Sequence, residues 1–367
     1  MFWLGLLLSV CYVPGYTGAS IPTQWAVLSI LLPACLWRIG PVTLGHKLFL
    51  AFVLYASLAT LWSLNSFTAI WGLWLVFIWG LSYHFGTIVG SLRGLWQGLA
   101  VGLSASAVLA VLQAGFDFTA VATDDPLRPA GLFYNSSLLG VICGLVLIAL
   151  VCHRLWWFIP APALALLLSG SRGGLAILGV GLTARFGGAL AAAVVVTAGM
   201  TAFAFGVDPS DLQRMQIWGV ALRAINAIGH GPGSFLDLYY VREINIALIH
   251  PEYVHNDVLQ LLYEYGLGAL PLLAIPALAL GNTRHRDWPV LVGFTVAAGF
   301  YFPLYTPLTS FLGLAVAGNS LRRWPRVRRD SVDWRPSFLS RLAPGRSIPD
   351  LDGGQAVPLV ARATHED

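Results

Sequence analysis

Charged side chains are scarce in this sequence of 367 residues. Only 10% of the residues are Asp, Glu, Lys or Arg, whereas about a quarter are charged in an ordinary soluble domain. Between Met1 and Gly206 there are ten charges, and 57% of the whole chain is hydrophobic. These values exclude a soluble globular enzyme and a fully disordered chain, because neither tolerates so much apolar surface.

Cysteine is also rare, which excludes a disulfide-stapled secreted domain. The N-terminus has no basic segment before its apolar run, so it is interpreted as a first membrane helix and not as a removed signal peptide. The net charge of +4 does not indicate nucleic-acid binding, because the charges follow a membrane pattern. The four cysteines are too scattered for a metal site and all lie in apolar stretches: Cys11, Cys35, Cys143 and Cys152.

Long apolar runs occupy most of the sequence. A helix needs about 20 apolar residues to cross a bilayer, and by this measure the fold class is all-α, a polytopic membrane bundle of about twelve transmembrane helices. A polar turn at Ser169–Gly174 interrupts the run 155–185. The predicted spans lie near 2–17, 21–37, 47–62, 67–85, 94–114, 135–152, 155–169, 173–185, 187–206, 257–280, 288–303 and 307–320.

The basic residues predict the orientation, because Arg and Lys favour cytoplasmic loops. With both termini in the cytoplasm, two long segments lie outside, about 115–134 and 207–256. The transmembrane domain then covers 1–320 with the outer loop 207–256 inserted, and the Arg- and Pro-rich tail 321–367 is predicted to be cytoplasmic and disordered. Before the tail, the cations on the cytoplasmic side are Arg38, Lys47, Arg93, Arg154, Arg185, Arg284 and Arg286.

Four arginines break this pattern and fall at the outer boundary: Arg172, Arg214, Arg223 and Arg242. A cation near a membrane segment is unfavourable and is usually kept for a partner or a function. Arg172 lies in a Ser- and Gly-rich segment, where small residues permit the close approach of helices. Two interpretations of Arg172 stay open: it reaches lipid headgroups, or it binds an anion at the outer membrane surface.

The outer loop 207–256 is predicted to contain an amphipathic helix. Ser210 and Asp211 suit a helix start, and apolar residues follow at spacings of three and four, from Leu212 to Ile225. The helix is interpreted as lying on the bilayer, with Trp218 at headgroup level and Arg214 on the same side. A helix face that is simply solvated is the alternative.

Glycines at alternate positions in Gly229–Phe235 predict a tight turn. The segment is not a dinucleotide-binding fingerprint, because no βαβ unit surrounds it. We interpret the turn as structural, with a backbone anion nest as the alternative.

The last informative segment begins before the span 257–280. Asn256, Gln260, Tyr263 and Glu264 recur at helical spacing, which predicts a polar stripe facing the bundle interior or a water-filled cavity. His255 precedes this stripe, and an imidazole exchanges a proton near neutral pH. A purely structural histidine is the ordinary interpretation, whereas its position opposite outer arginines favours a general base.

Taken together, these segments resemble the O-antigen ligase/polymerase family of bacterial envelope glycosyltransferases. In chain order, the matching segments are Gly131–Ser136, Ser169–Gly174, Arg214–Trp218 and Gly229–Phe235. The most distinctive match is His255-Asn256 followed, after nine residues, by Gly266. The resemblance covers about 130–270, and it implies a GT-C-like bundle with one large outer loop that contains amphipathic helices.

The resemblance implies transfer of a glycan from undecaprenyl diphosphate to an acceptor hydroxyl, on the periplasmic face of the bacterial inner membrane. Arg172 and Arg214 would bind the diphosphate, because guanidinium groups bind phosphate oxygens in pairs. His255 would take the hydroxyl proton. The implied partners are the lipid-linked donor, a glycan or lipid acceptor and membrane lipids, with neither a metal ion nor another cofactor. The residues expected to support this site are Arg223, Asn256, Gln260 and Glu264.

Two other classes of function compete with this enzyme. A transporter of an anion or a lipid-linked saccharide would also use outer arginines, although no internal repeat is visible. A membrane protein without chemistry would leave the polar stripe and the outer arginines unexplained. Within the family, the outer loop of about 50 residues mildly favours a polymerase or a ligase for a simple acceptor, and that choice stays open.

Overall fold

The computed structural model describes residues 1–11, 20–116, 128–187, 209–235 and 253–322. Every regular element in this part of the chain is helical. Short 3₁₀ turns extend several of the helices, including one at Gly266–Ala269 that joins two of them. The helices are α1 Phe2–Val10, α2 Ser20–Leu31, α3 Leu44–Ala59, α4 Ser66–Ile88, α5 Arg93–Phe116, α6 Ser136–Cys152, α7 Pro160–Leu168, α8 Arg172–Phe186, α9 Pro209–Ala224, α10 Asp257–Tyr265, α11 Leu270–Leu280, α12 Trp288–Phe300 and α13 Pro307–Arg322.

Four helical segments in the described residues are long and apolar enough to cross a membrane, judged by length and composition. A helix lies within eleven of the predicted spans, whereas the span 187–206 lies outside the described residues except for Gly187. The apolar helices support a membrane protein, and the count of twelve stays a prediction. The four segments are Leu44–Trp62, Ser66–Ile88, Arg93–Phe116 and Asp257–Leu280.

The loops that the orientation prediction places on one side also meet in the structure. At one end, Arg38 and Arg322 line a common cavity with Ile88. At the other end, the Asn256 side chain donates to the Gly299 carbonyl at 2.8 Å. We call these the Arg38 end and the His255 end, and the cations predicted to be cytoplasmic belong to the helix termini at the Arg38 end.

Small residues hold the helices close together. A Cβ atom added to Gly86 in α4 would collide with the backbone of Ala315 in α13, and one added to Gly140 in α6 would collide with Ser171 before α8. Helices in lipid gain little from hydrophobic exclusion, so their association depends on this kind of close packing. The glycines therefore fix the positions of α4 and α8, which later carry parts of the candidate site.

The last helix ends close to the predicted boundary between the transmembrane domain and the tail, and that boundary stays a prediction. Helix α13 continues to Arg322, two residues beyond the predicted end of the last span. An arginine in the last turn of a helix interacts favourably with the helix dipole, which accounts for the extension. The rest of the predicted tail, from 323 onward, lies outside the described residues.

Candidate active site

Helix α10 starts at a capping residue that also ties it to α12. The side-chain carbonyl oxygen of Asn256 accepts a hydrogen bond from the Leu259 backbone N–H at 3.0 Å, as an N-cap residue does. The amide of the same side chain donates to the Gly299 carbonyl near the end of α12. Asn256 therefore fixes where α10 begins and where its preceding residue, His255, is held.

His255 occupies an unusual backbone conformation, with φ of 57°. Non-glycine residues in this left-handed region are uncommon, and they gather at functional sites that the surrounding structure over-determines. The imidazole meets the Phe302 ring edge to face at 4.9 Å. Its Nδ1 atom is buried and has no hydrogen-bond partner among the described residues. Seven other side-chain atoms of the described residues share this state, so the atom gains its interest from the titratable ring that carries it.

Arg214 lies close enough to act electrostatically on this imidazole. Burial, and after it the positive charge of Arg214, lowers the pKa of His255 from 6.5 to about 4. The imidazole is therefore neutral at neutral pH and can accept a proton. The fold thus brings together two residues predicted for the site, Arg214 on α9 and His255 before α10, although they lie far apart in the sequence.

A hydrogen bond from Trp218 explains why Arg214 comes to this position. The Trp218 indole N–H donates to the carbonyl of Val254, the residue before His255, at 2.9 Å. The Trp218 indole therefore faces the protein and binds the His255 segment, and its position at headgroup level stays a prediction. The outward face of α9 instead carries Leu212, Met215 and Leu222, all more than half exposed.

Arg172 begins α8 and is reached through a turn that Arg128 holds. The Ser171 hydroxyl caps the helix by accepting from the Gly174 N–H at 3.1 Å. The Arg128 guanidinium donates to the carbonyls of Ser169 and Gly170 at 3.3 and 3.5 Å. A cation at a helix N-terminus opposes the helix dipole, so helix stability does not account for Arg172.

The end of α12 connects Arg172 with His255. A Cβ atom on Gly173 would lie 2.9 Å from the Phe300 ring, and Gly299 accepts the Asn256 bond described above. The backbone beside Arg172 therefore packs against the end of α12, to which the His255 segment is also bound. Gly173, which follows Arg172, and the pair His255 and Asn256 thus contact one short segment, residues 299–302.

The other predicted site residues have different surroundings. Arg223 is exposed in the last turn of α9, where a cation suits the helix dipole. Arg242 lies outside the described residues. Gln260 and Glu264 are buried, and the Gln260 amide donates to Glu264 Oε1 at 3.0 Å. The predicted stripe thus faces the interior, which confirms that part of the sequence interpretation.

The glycine turn is a structural wedge. Gly229, Gly231 and Gly233 all have positive φ, between 68° and 95°. A Cβ atom on Gly233 would lie 2.5 Å from the Thr68 carbonyl oxygen in α4. Only glycine combines this backbone conformation with such close approach, so the structural interpretation of the turn is confirmed.

A cavity of about 240 Å³ lies between this turn, α4 and α10. Tyr305 donates to Glu264 Oε2 at 3.0 Å, and the Gly233 backbone N–H donates to the same carboxylate.

Sequence reasoning missed the contributions of Arg128, Tyr253, Phe302 and Tyr305. In the sequence, Arg128 is an arginine in an outer loop and the other three are aromatic residues near the ends of segments. Such residues are too common in membrane proteins to identify a site.

No protein-family model and no curated protein matches this chain. The resemblance of segments 131–266 to O-antigen ligases and polymerases therefore stays a prediction. Within the described residues, no three His, Cys, Asp or Glu side chains come together as a metal site.

Proposed function

We propose that this chain is a membrane glycosyltransferase of the O-antigen ligase/polymerase type. It would transfer a glycan from undecaprenyl diphosphate to an acceptor hydroxyl at the His255 end, on the outer face of the bacterial inner membrane. The observation that carries the proposal is His255 itself: a neutral imidazole with a buried, unpaired nitrogen beside a guanidinium. This combination suits a reaction that removes a proton near a bound anion.

Arg172 and Arg214 would bind the donor diphosphate. Guanidinium groups bind phosphate oxygens bidentately and stay charged at every relevant pH. As the bond between the anomeric carbon and the phosphate oxygen breaks, negative charge grows on the leaving diphosphate. Fixed donors aimed at developing charge are each worth a few kcal/mol of barrier, about 3 in measured cases.

His255 would complete the transfer by taking the proton of the acceptor hydroxyl. The acceptor oxygen forms its bond to the anomeric carbon while the carbon–oxygen bond to the diphosphate breaks. The proton goes to the unprotonated ring nitrogen of His255, since a neutral imidazole carries its hydrogen on the other nitrogen. Undecaprenyl diphosphate leaves with the electron pair of the broken bond, so atoms and charge balance.

Donor binding would also strengthen the base. In the free protein, the charge of Arg214 contributes to the lowered pKa of His255. A diphosphate bound to Arg214 offsets that positive charge, so the His255 pKa rises when the donor is present. The imidazole then becomes a better proton acceptor when there is a reaction to perform.

The test is glycan transfer in membranes supplied with an undecaprenyl-diphosphate-linked oligosaccharide. Arg172→Ala, Arg214→Ala and His255→Ala should each reduce transfer by about 100-fold or more, the usual effect of removing such groups. Arg93→Ala is the matched control, because Arg93 is exposed at the start of α5 and belongs to the Arg38 end. Full turnover in His255→Ala would remove the base from the proposal.

A glycan profile of a deletion strain separates the two types within the family. Lipid capped with a single repeat unit would indicate a polymerase, and accumulated carrier-linked polymer would indicate a ligase.

A further inference from the structure

We infer that the cavity of about 240 Å³ between the glycine turn, α4 and α10 binds a sugar ring of the acceptor, a neutral pyranose. The inference rests on the proposed function, and it adds the chemical class of the second substrate and its place in the fold. Five aromatic side chains and two polar ones supply the lining on which it depends: Trp71, Trp79, Tyr253, Tyr265 and Tyr305 with Gln260 and Glu264.

The aromatic lining suits one face of a pyranose ring. The C–H bonds of such a ring point to its two faces, and aromatic rings present a negative π-face that attracts hydrogens of this kind. Trp71 and Trp79 lie two turns apart on α4, on the same side of the helix. Together with the tyrosines across the cavity, they offer flat apolar surfaces to a disc-shaped ligand.

The polar lining suits hydroxyl groups. A carboxylate has about four lone-pair positions, and the described residues supply Glu264 with three donors: Gln260, Tyr305 and the Gly233 backbone. One position is left for a donor from the cavity. Gln260 uses one amide hydrogen on Glu264, and none of the described residues takes the other. A neighbouring acceptor and donor match a sugar hydroxyl, which both donates and accepts.

The dimensions favour a single ring. Pockets for drug-sized ligands measure about 300–1,000 Å³, so this cavity is slightly smaller than that class. A hydrocarbon chain would leave the spare positions on Glu264 and Gln260 without partners, which is unfavourable for buried polar groups. Trp71 is 41% exposed, so the cavity opens at the surface near the start of α4.

Aromatic contacts connect the cavity lining to the candidate base. Tyr253 lines the cavity and stacks on Phe302 at 4.8 Å between ring centroids. The Phe302 ring in turn contacts the His255 imidazole, with 4.9 Å between the ring centroids. Two rings, Tyr253 and Phe302, therefore lie between the cavity and the His255 imidazole, so a sugar ring held in the cavity lies near the candidate base without touching it.

Saturation-transfer NMR on the purified full-length chain tests the inference directly. The probes are free D-glucose, D-galactose, D-mannose and N-acetyl-D-glucosamine, measured without donor. At least one should receive saturation on its ring C–H protons, and Trp71→Ala should weaken its binding by about tenfold, as loss of an aromatic contact does. Glu264→Gln should also weaken it. Trp37→Ala is the matched control, because Trp37 is 87% exposed and lies at the Arg38 end.

Each result decides the inference. No saturation for any of the four sugars would overturn it, and so would equal losses in Trp71→Ala and Trp37→Ala. Trp71 is a suitable position for this test because its side chain is partly exposed, so its replacement by Ala should not unfold the protein. Sugar binding without any transfer activity would refute the proposed function and leave the cavity assignment intact. If transfer occurs but Trp71→Ala does not change the acceptor KM, the cavity assignment is refuted and the proposed function stands.

Discussion

The lowered pKa of His255 makes a quantitative prediction about acid pH. With a pKa of about 4, roughly 90% of the imidazoles stay neutral at pH 5, whereas an ordinary pKa of 6.5 would leave about 3% neutral. The base must be neutral to act, so kcat/KM for the donor should stay nearly constant from pH 8 to 5 and fall below that. The difference between the two cases at pH 5 is about 30-fold.

The assay is the initial rate of glycan transfer at limiting donor concentration, because kcat/KM then reports groups of the free protein. Arg214→Gln removes the positive charge, so the pKa of His255 rises and the acid limb moves to higher pH. The limb should stay below 6.5, since burial is the larger cause of the lowered value and persists in the variant. Arg93→Gln supplies the control, with a lower charge but no shift of the limb.

Two results would refute this reasoning. A wild-type limb near pH 6.5 would mean that His255 is not held neutral by its surroundings. An identical limb in wild type and Arg214→Gln would mean that the guanidinium does not act on the group that limits turnover.

Two further predictions concern the fold and the orientation. Gly233→Ala should lower the thermal unfolding midpoint in detergent. A left-handed conformation costs a non-glycine residue about 1–2 kcal/mol, and the new Cβ atom would collide with Thr68. The control Gly219→Ala should leave the midpoint unchanged or raise it, because its Cβ atom would meet only Arg223, at 3.8 Å. Equal midpoints for the two variants would contradict the wedge role of the turn. A reporter fused after Asp237 should be active outside the cytoplasm and one after Arg329 inside it; the reverse pattern would put the arginines on the wrong side for the carrier.

The helices and their ends could be predicted from the sequence, because the signals are local. The Ser- and Gly-rich break before Arg172 and the start of α10 after Asn256 both depend on residues within a few positions of one another. Caps and apolar runs act over one or two turns, so a single stretch of sequence specifies them. The inward polar stripe of Gln260 and Glu264 followed from the same periodicity.

The assembly of the site could not be predicted in this way. The Trp218 bond to Val254 spans 36 residues and the Asn256 bond to Gly299 spans 43, so no local pattern encodes either. The partner of the Trp218 indole N–H could not be predicted, because the Val254 carbonyl lies far from it in the sequence. Arg128 was passed over because its role depends on the distant carbonyls of Ser169 and Gly170.

The most direct measurement of the central claim uses proteoliposomes that contain this chain alone, with donor and acceptor added together. Mass spectrometry should detect one undecaprenyl diphosphate released for each glycosidic bond formed, and neither product in His255→Ala. Movement of intact donor across the bilayer without a new glycosidic bond would contradict the account and indicate a transporter instead.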